Sequence, residues 1–124
     1  MRRSELLAYL VGSAVAGSVL VFPYVLRPLL TPIVPGFAVV RVPFFLLPVV
    51  WGLWNSLYVR VAPAIDIGVW GSVLGLGLGV AVNAFLYAQG TWFTAAVTLP
   101  VFLTVVYLLL WRFVVGPLNA AVGS

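Results

Sequence analysis

The chain has 124 residues, of which 65% are apolar or aromatic and only 6% are charged, with a formal net charge of +4. Soluble domains carry about 25% charged residues, so this chain has too few polar side chains to cover a water-exposed surface. It has no cysteine, histidine or lysine, which excludes disulfides, zinc–thiolate sites and Schiff-base chemistry. We therefore predict an all-α integral membrane protein: four transmembrane helices in a compact bundle with short loops and both termini on the same side.

The charged residues divide the chain into uncharged stretches whose lengths can be compared with a bilayer. A helix needs about 20 apolar residues to cross it. The stretch between Asp66 and Arg112 is long enough for two helices, and its one consecutive polar or glycine triplet, Gln89-Gly90-Thr91, predicts a turn. The predicted spans of this single membrane domain are 6–26, 37–59, 67–88 and 92–114.

Five of the nine prolines lie between residues 28 and 48. Each proline removes a backbone donor and disfavours helix for the residue before it, so we interpret 27–36 as a proline-rich external loop. The second predicted span then contains Pro43 and Pro48, and we expect a kink near Pro48. A re-entrant loop over this region is the alternative.

Arg41 falls in the first turns of the second predicted span. Both acidic residues, Glu5 and Asp66, lie at the opposite membrane face in this topology, so neither can pair with it. We expect the Arg41 guanidinium to extend to lipid phosphate at the interface. The alternatives are an anion-attracting residue at a pore mouth and a contact with a partner protein.

The third predicted span carries a regular pattern of small residues, with a glycine at every fourth position. Glycines at this spacing let a neighbouring backbone approach closely, which is how helices associate in lipid. A milder version occurs in the first predicted span, so we expect the first span to pack against the third. The stripe can serve packing within one protomer, an oligomer interface or a pore lining. The predicted packing residues are Gly12, Ala16, Gly68, Gly71, Gly75 and Gly79.

Three polar residues lie within the last two predicted spans. The amide of Asn83 needs a hydrogen-bond partner inside the protein, and we expect Thr94 or Thr98, across the turn, to supply it. Structural cross-linking of the helices is the simpler interpretation of these residues, and a substrate site is the alternative.

The reactive groups that many membrane enzymes and carriers need are missing from the sequence. No ionisable residue lies near the middle of a predicted span, which argues against proton-coupled transport. With no histidine or cysteine and no evident activator for its serines, the chain is not expected to be an enzyme. We expect no cofactor and no metal. We also expect no nucleic-acid binding, because six scattered arginines do not form a basic surface.

We predict a structural or accessory subunit that acts through helix–helix association, with membrane lipid and with copies of itself or a larger membrane complex as partners. The alternatives are an oligomeric pore or carrier for uncharged or anionic solutes, and a lipid-binding or membrane-shaping protein. Four arginines against two favour cytoplasmic termini, in a bacterial or archaeal cytoplasmic membrane. The alternative is that copies of the protein insert into the membrane in both orientations.

Overall fold

The computed structural model describes residues 2–30 and 46–124, with backbone alone for 23–30. Within these ranges the chain is helical and contains no strand. The helices are α1 (Arg3–Leu30), α2 (Leu47–Val61), α3 (Ile67–Ala88), α4 (Leu99–Leu110) and α5 (Gly116–Val122).

Three helical segments are long and apolar enough to cross a bilayer, which is compatible with an integral membrane protein. They are Arg3–Phe22, Ile67–Ala88 and Thr94–Val122. In contrast, α2 has 15 residues and extends about 22 Å, less than the hydrocarbon thickness of about 30 Å. The predicted second span, 37–59, therefore stays a prediction, and its residues 37–45 lie outside the described part of the chain.

The last segment, Thr94–Val122, is one continuous helical run of 29 residues. It begins with a 3-10 helix, Thr94–Thr98, and a π-helical turn, Trp111–Val115, joins α4 to α5. Pro117 donates no backbone hydrogen bond, and the π turn directly before it carries the helix across this break. The run therefore ends at Val122, whereas the last predicted span ended at residue 114.

α3 has the bounds that the sequence analysis gave to the third span, Ile67–Ala88. The chain turns at Gly90, whose φ is +71°, a conformation that favours glycine. The backbone N–H groups of Gly90 and Thr91 donate to the carbonyls of Tyr87 and Leu86, each at 3.0 Å. These two hydrogen bonds, which span three and five residues, form a Schellman motif at the end of α3. The motif explains the turn at the predicted triplet.

The predicted external loop, 27–36, overlaps the end of α1, because residues 27–30 are helical. The predicted start of this loop is therefore wrong. Pro28 removes only one backbone donor, and its fixed φ is compatible with a helix, so the remaining hydrogen bonds continue the helix past it. Residues 31–36 of the predicted loop lie outside the described residues.

α2 ends at Val61, two residues beyond the end of the predicted second span. It begins at Leu47, so Pro48 lies in its first turn, where the missing N–H would have no helical partner in any case. The kink expected near Pro48 involves residues before 46, which lie outside the described part of the chain, so it stays a prediction. The helix ends at Val61 because Pro63 disfavours helical geometry in the residue before it. That residue, Ala62, is not helical, with a φ of −136° and a ψ of 31°.

The helices form two close pairs, α1 with α2 and α3 with α4. Narrower contacts join α5 to α1 and α2 to α3. The last of these includes a reciprocal pair: the indole N–H of Trp54 donates to the Trp70 carbonyl at 2.8 Å, and the Trp70 indole donates to the Trp54 carbonyl at 2.9 Å. The two rings stack with their centroids 4.4 Å apart, so this pair fixes one helical pair against the other.

Candidate functional site

Two glycines of α3, Gly75 and Gly79, lie against the beginning and middle of α4. A Cβ added at Gly79 would stand 2.5 Å from the Cα of Pro100, and one added at Gly75 would overlap the Leu103 carbonyl. Real Cβ atoms do not approach backbone this closely, so only glycine permits the observed helix separation. This part of the glycine stripe is therefore covered by α4 of the same protomer.

The N-terminal half of the stripe contacts the π-helical turn. A Cβ at Gly71 would stand 2.5 Å from the Cβ of Trp111, and one at Gly68 would stand 3.0 Å from both Arg112 Nε and Asp66 Oδ1. The four predicted packing glycines of α3 therefore all face the last helical segment or its ion pair with Asp66.

Gly12 of α1 faces α2, so the expected pairing of the first span with the third is wrong at this residue. A Cβ at Gly12 would stand 2.5 Å from the Trp51 carbonyl, and one at Gly52 would stand 2.9 Å from the Tyr9 carbonyl. Ala16 is buried on the same helix. Gly52 was not predicted as a contact, because a single glycine between bulky residues belongs to no repeat.

Asn83 joins α3 to the 3-10 helix that precedes α4. Its Nδ2 donates to the carbonyls of Gly79, at 2.9 Å, and Ala96, at 2.8 Å. Its Oδ1 accepts from the indole N–H of Trp92 at 2.9 Å. The amide is therefore satisfied inside the protein, as a polar link between helices.

Asn83 does not form hydrogen bonds with Thr94 or Thr98, the partners expected from the sequence. Thr94 and Thr98 are exposed, and the Thr98 hydroxyl donates to the Ala95 carbonyl of its own helix at 2.7 Å. A backbone group replaces them because Pro100 has no N–H to donate to the Ala96 carbonyl four residues before it. Asn83 donates to that carbonyl instead.

One side chain of α2, Trp51, and two of the last helical segment, Tyr107 and Trp111, form a buried aromatic cluster. Trp51 packs edge-on against both others at centroid distances of 5.0 Å, and its indole N–H donates to the Tyr107 hydroxyl oxygen at 3.0 Å. Tyr107 and Trp111 stack at 5.6 Å. The indole N–H of Trp111 is fully buried and has no acceptor among the described residues.

A cavity of about 480 Å³ lies beside the aromatic cluster, between the two helical pairs. α1 and α2 contribute Val19 and Val50 to its wall, and α3 and α4 contribute Leu78 and Val106. The rest of the wall is also leucine, valine, alanine and phenylalanine, apart from Trp51 and Tyr107 of the cluster. The cavity is thus apolar, and Trp51 and Tyr107 are the two residues of its wall whose side chains contain polar atoms.

No protein-family model, curated protein or solved structure matches this chain. Its function must therefore be argued from its own residues. Within the described ranges, histidine, cysteine and acidic side chains form no group of three that could hold a metal ion. Arg41, the predicted lipid contact, lies outside these ranges.

A second buried polar contact joins α2 to α5. Nδ2 of Asn55 donates to Oδ1 of Asn119 at 2.9 Å, and Nδ2 of Asn119 donates to Oδ1 of Asn55 at 2.8 Å. Asn55 also donates to the Ala8 carbonyl of α1 at 2.7 Å, so the pair links three helices. Asn119 was missed because the last predicted span ended at residue 114.

Asp66 links the start of α3 to the π-helical turn. Its Oδ1 accepts from Arg112 Nη2 at 3.0 Å and from the backbone N–H of Val69 at 3.2 Å. The Arg112 guanidinium, followed by the Val69 amide, holds the pKa of the Asp66 carboxyl below its ordinary value. The carboxylate therefore serves as both the helix N-cap and one half of an ion pair.

We expect acid to weaken this contact. Because the folded pKa of Asp66 is lowered, its contribution to stability is complete above its unfolded pKa of about 4 and is lost as the pH falls through the folded value. Asp66→Asn, which keeps an N-cap acceptor but loses the charge, should remove this part of the pH dependence, and Asp66→Ala should lower the melting temperature further. Thermal unfolding between pH 3 and pH 7 tests both; identical pH profiles for wild type and Asp66→Asn would contradict the assignment.

Proposed function

We propose that this chain is a small non-enzymatic membrane protein that acts through helix–helix association, with copies of itself or with a larger membrane complex. In this proposal the four helical segments lie in a bacterial or archaeal cytoplasmic membrane with both termini in the cytoplasm. Three segments of sufficient length and apolarity support the membrane placement. The excess of arginines on one side of the proposed topology supports the orientation.

The observation that carries the proposal is a second small-residue face on α3, which has no partner among the described residues. Its members, one glycine and three alanines, are all exposed. They are Gly77, Ala81, Ala84 and Ala88. A Cβ added at Gly77 would meet nothing within 4 Å, in contrast to one added at Gly75. In lipid, such a face favours the close approach of another helix.

The residues that could line a pore make contacts within the protomer instead. Gly75 and Gly79 are covered by α4, and the Asn83 amide is hydrogen-bonded within the protomer. A small-residue face on the opposite side of the same helix, which residues 2–30 and 46–124 leave uncovered, therefore supports association rather than solute conduction.

We expect Gly77→Leu to weaken self-association about tenfold, because the leucine side chain prevents close backbone approach. Gly17→Leu on α1 is the matched control, since Gly17 also has nothing within 4 Å of its added Cβ. Energy transfer between donor-labelled and acceptor-labelled copies, diluted stepwise into lipid vesicles, measures the association in a bilayer.

The control should associate like wild type. Equal loss in Gly17→Leu and Gly77→Leu would show a general effect of added bulk, and unchanged association in Gly77→Leu would reject this face as a contact between copies. Copies that do not associate at any protein-to-lipid ratio would likewise exclude the homo-oligomer.

A further inference from the structure

The aromatic cluster contains more hydrogen-bond donors than acceptors. An indole nitrogen only donates, whereas a phenol both donates and accepts. Trp51, Tyr107 and Trp111 therefore hold three donor hydrogens, and the Tyr107 oxygen is their one side-chain acceptor, already used by Trp51. Among the described residues, neither the Tyr107 hydroxyl hydrogen nor the Trp111 N–H has an acceptor.

This donor excess adjoins the apolar cavity. Trp51 and Tyr107 are the two wall residues whose side chains carry polar atoms, and both are almost fully buried. A buried donor without an acceptor is unfavourable, so a molecule that brings an acceptor oxygen to Tyr107 would be favoured over a pure hydrocarbon.

We propose that the cavity binds an uncharged hydrocarbon chain that carries a carbonyl oxygen, with the Tyr107 hydroxyl as the donor to that oxygen. The cavity volume of about 480 Å³ falls in the range of about 300–1,000 Å³ typical of small-molecule sites. The wall carries no charged residue, and a charged ligand would have to be buried there without a counter-ion. The inference rests on the membrane placement proposed above, where lipid-soluble molecules are the available ligands, but not on self-association.

Two probes of equal length test the proposal on the full chain in phosphatidylcholine nanodiscs: a bromine-tailed methyl ketone and the corresponding bromoalkane. Bromine quenches tryptophan fluorescence on contact, and Trp92 is exposed outside the cluster, so occupancy next to the cluster is the part of the quenching that a bulky substitution in the cavity wall removes. We expect the ketone to bind wild type about three- to tenfold more tightly than the alkane, the range expected for one net hydrogen bond. In the double variant Trp51→Phe/Tyr107→Phe, which keeps Trp111 as reporter, this preference should disappear.

A second pair of variants locates the probe without removing a donor. Val50 lines the cavity, whereas its neighbour Val49 on α2 is exposed. Val50→Phe should reduce the quenching by both probes, and Val49→Phe should leave it at the wild-type level. Equal affinity for ketone and alkane in wild type, absence of quenching by either probe, or equal quenching in the two phenylalanine variants would each overturn the proposal. None of these outcomes depends on the association measured with Gly77→Leu.

Discussion

Gly75→Leu is expected to destabilise the protein by about 1–3 kcal/mol or more, because the new side chain has to displace the backbone of α4. The first atom of that side chain would already overlap the Leu103 carbonyl. Helix propensity acts in the opposite direction, since replacing a helical glycine gains up to about 1 kcal/mol. The backbone contact should outweigh this gain, since a carbonyl in a helix cannot turn aside as a flexible side chain can.

Gly77→Leu is the matched control, two residues further along the same helix. No described atom lies within 4 Å of its added Cβ, so in the monomer the propensity gain is unopposed and the free energy of unfolding should stay equal to that of wild type or rise. Unfolding in mixed micelles with an increasing fraction of denaturing detergent compares the two variants, at a protein-to-detergent ratio low enough to keep copies apart. If both were equally stable, the glycine stripe would not determine the separation of α3 and α4.

Asn55→Leu is expected to cost about 1–2 kcal/mol of stability, because it leaves the buried Asn119 amide and the Ala8 carbonyl without their partner. Interhelical hydrogen bonds in membrane proteins contribute about 0.6 kcal/mol on average and up to about 1.7 kcal/mol. This contact is at the higher end of that range because both side chains are buried and the two amides bond reciprocally.

The double variant Asn55→Leu/Asn119→Leu separates pairing from packing. Once both amides are removed, no unsatisfied group of the pair is left, so the double variant should lose less stability than the sum of the two single variants. Losses that simply add, in the same detergent titration, would mean that the two amides do not interact in the folded protein.

Properties that depend on local sequence could be predicted well. Hydropathy and length are sufficient to recognise three segments able to cross a bilayer, and the glycine of Gln89-Gly90-Thr91 marks the turn that ends α3. Prolines were less informative: Pro28 lies within a helix and Pro48 begins one. The same residue type is compatible with a helix start, a helix interior or a loop, and its neighbours decide which.

The composition and the spacing of charged and polar residues were enough to establish that the chain is helical, strongly apolar and turned after residue 88. Only the tertiary structure showed that Gly12 meets α2, that Asn55 pairs with Asn119, and that Trp51, Tyr107 and Trp111 meet beside a cavity. The physical reason is that these long helices carry apolar residues on every side. Their hydrophobic pattern therefore does not distinguish the face that packs against protein from the face that meets acyl chains, and close contacts between distant residues decide the pairing.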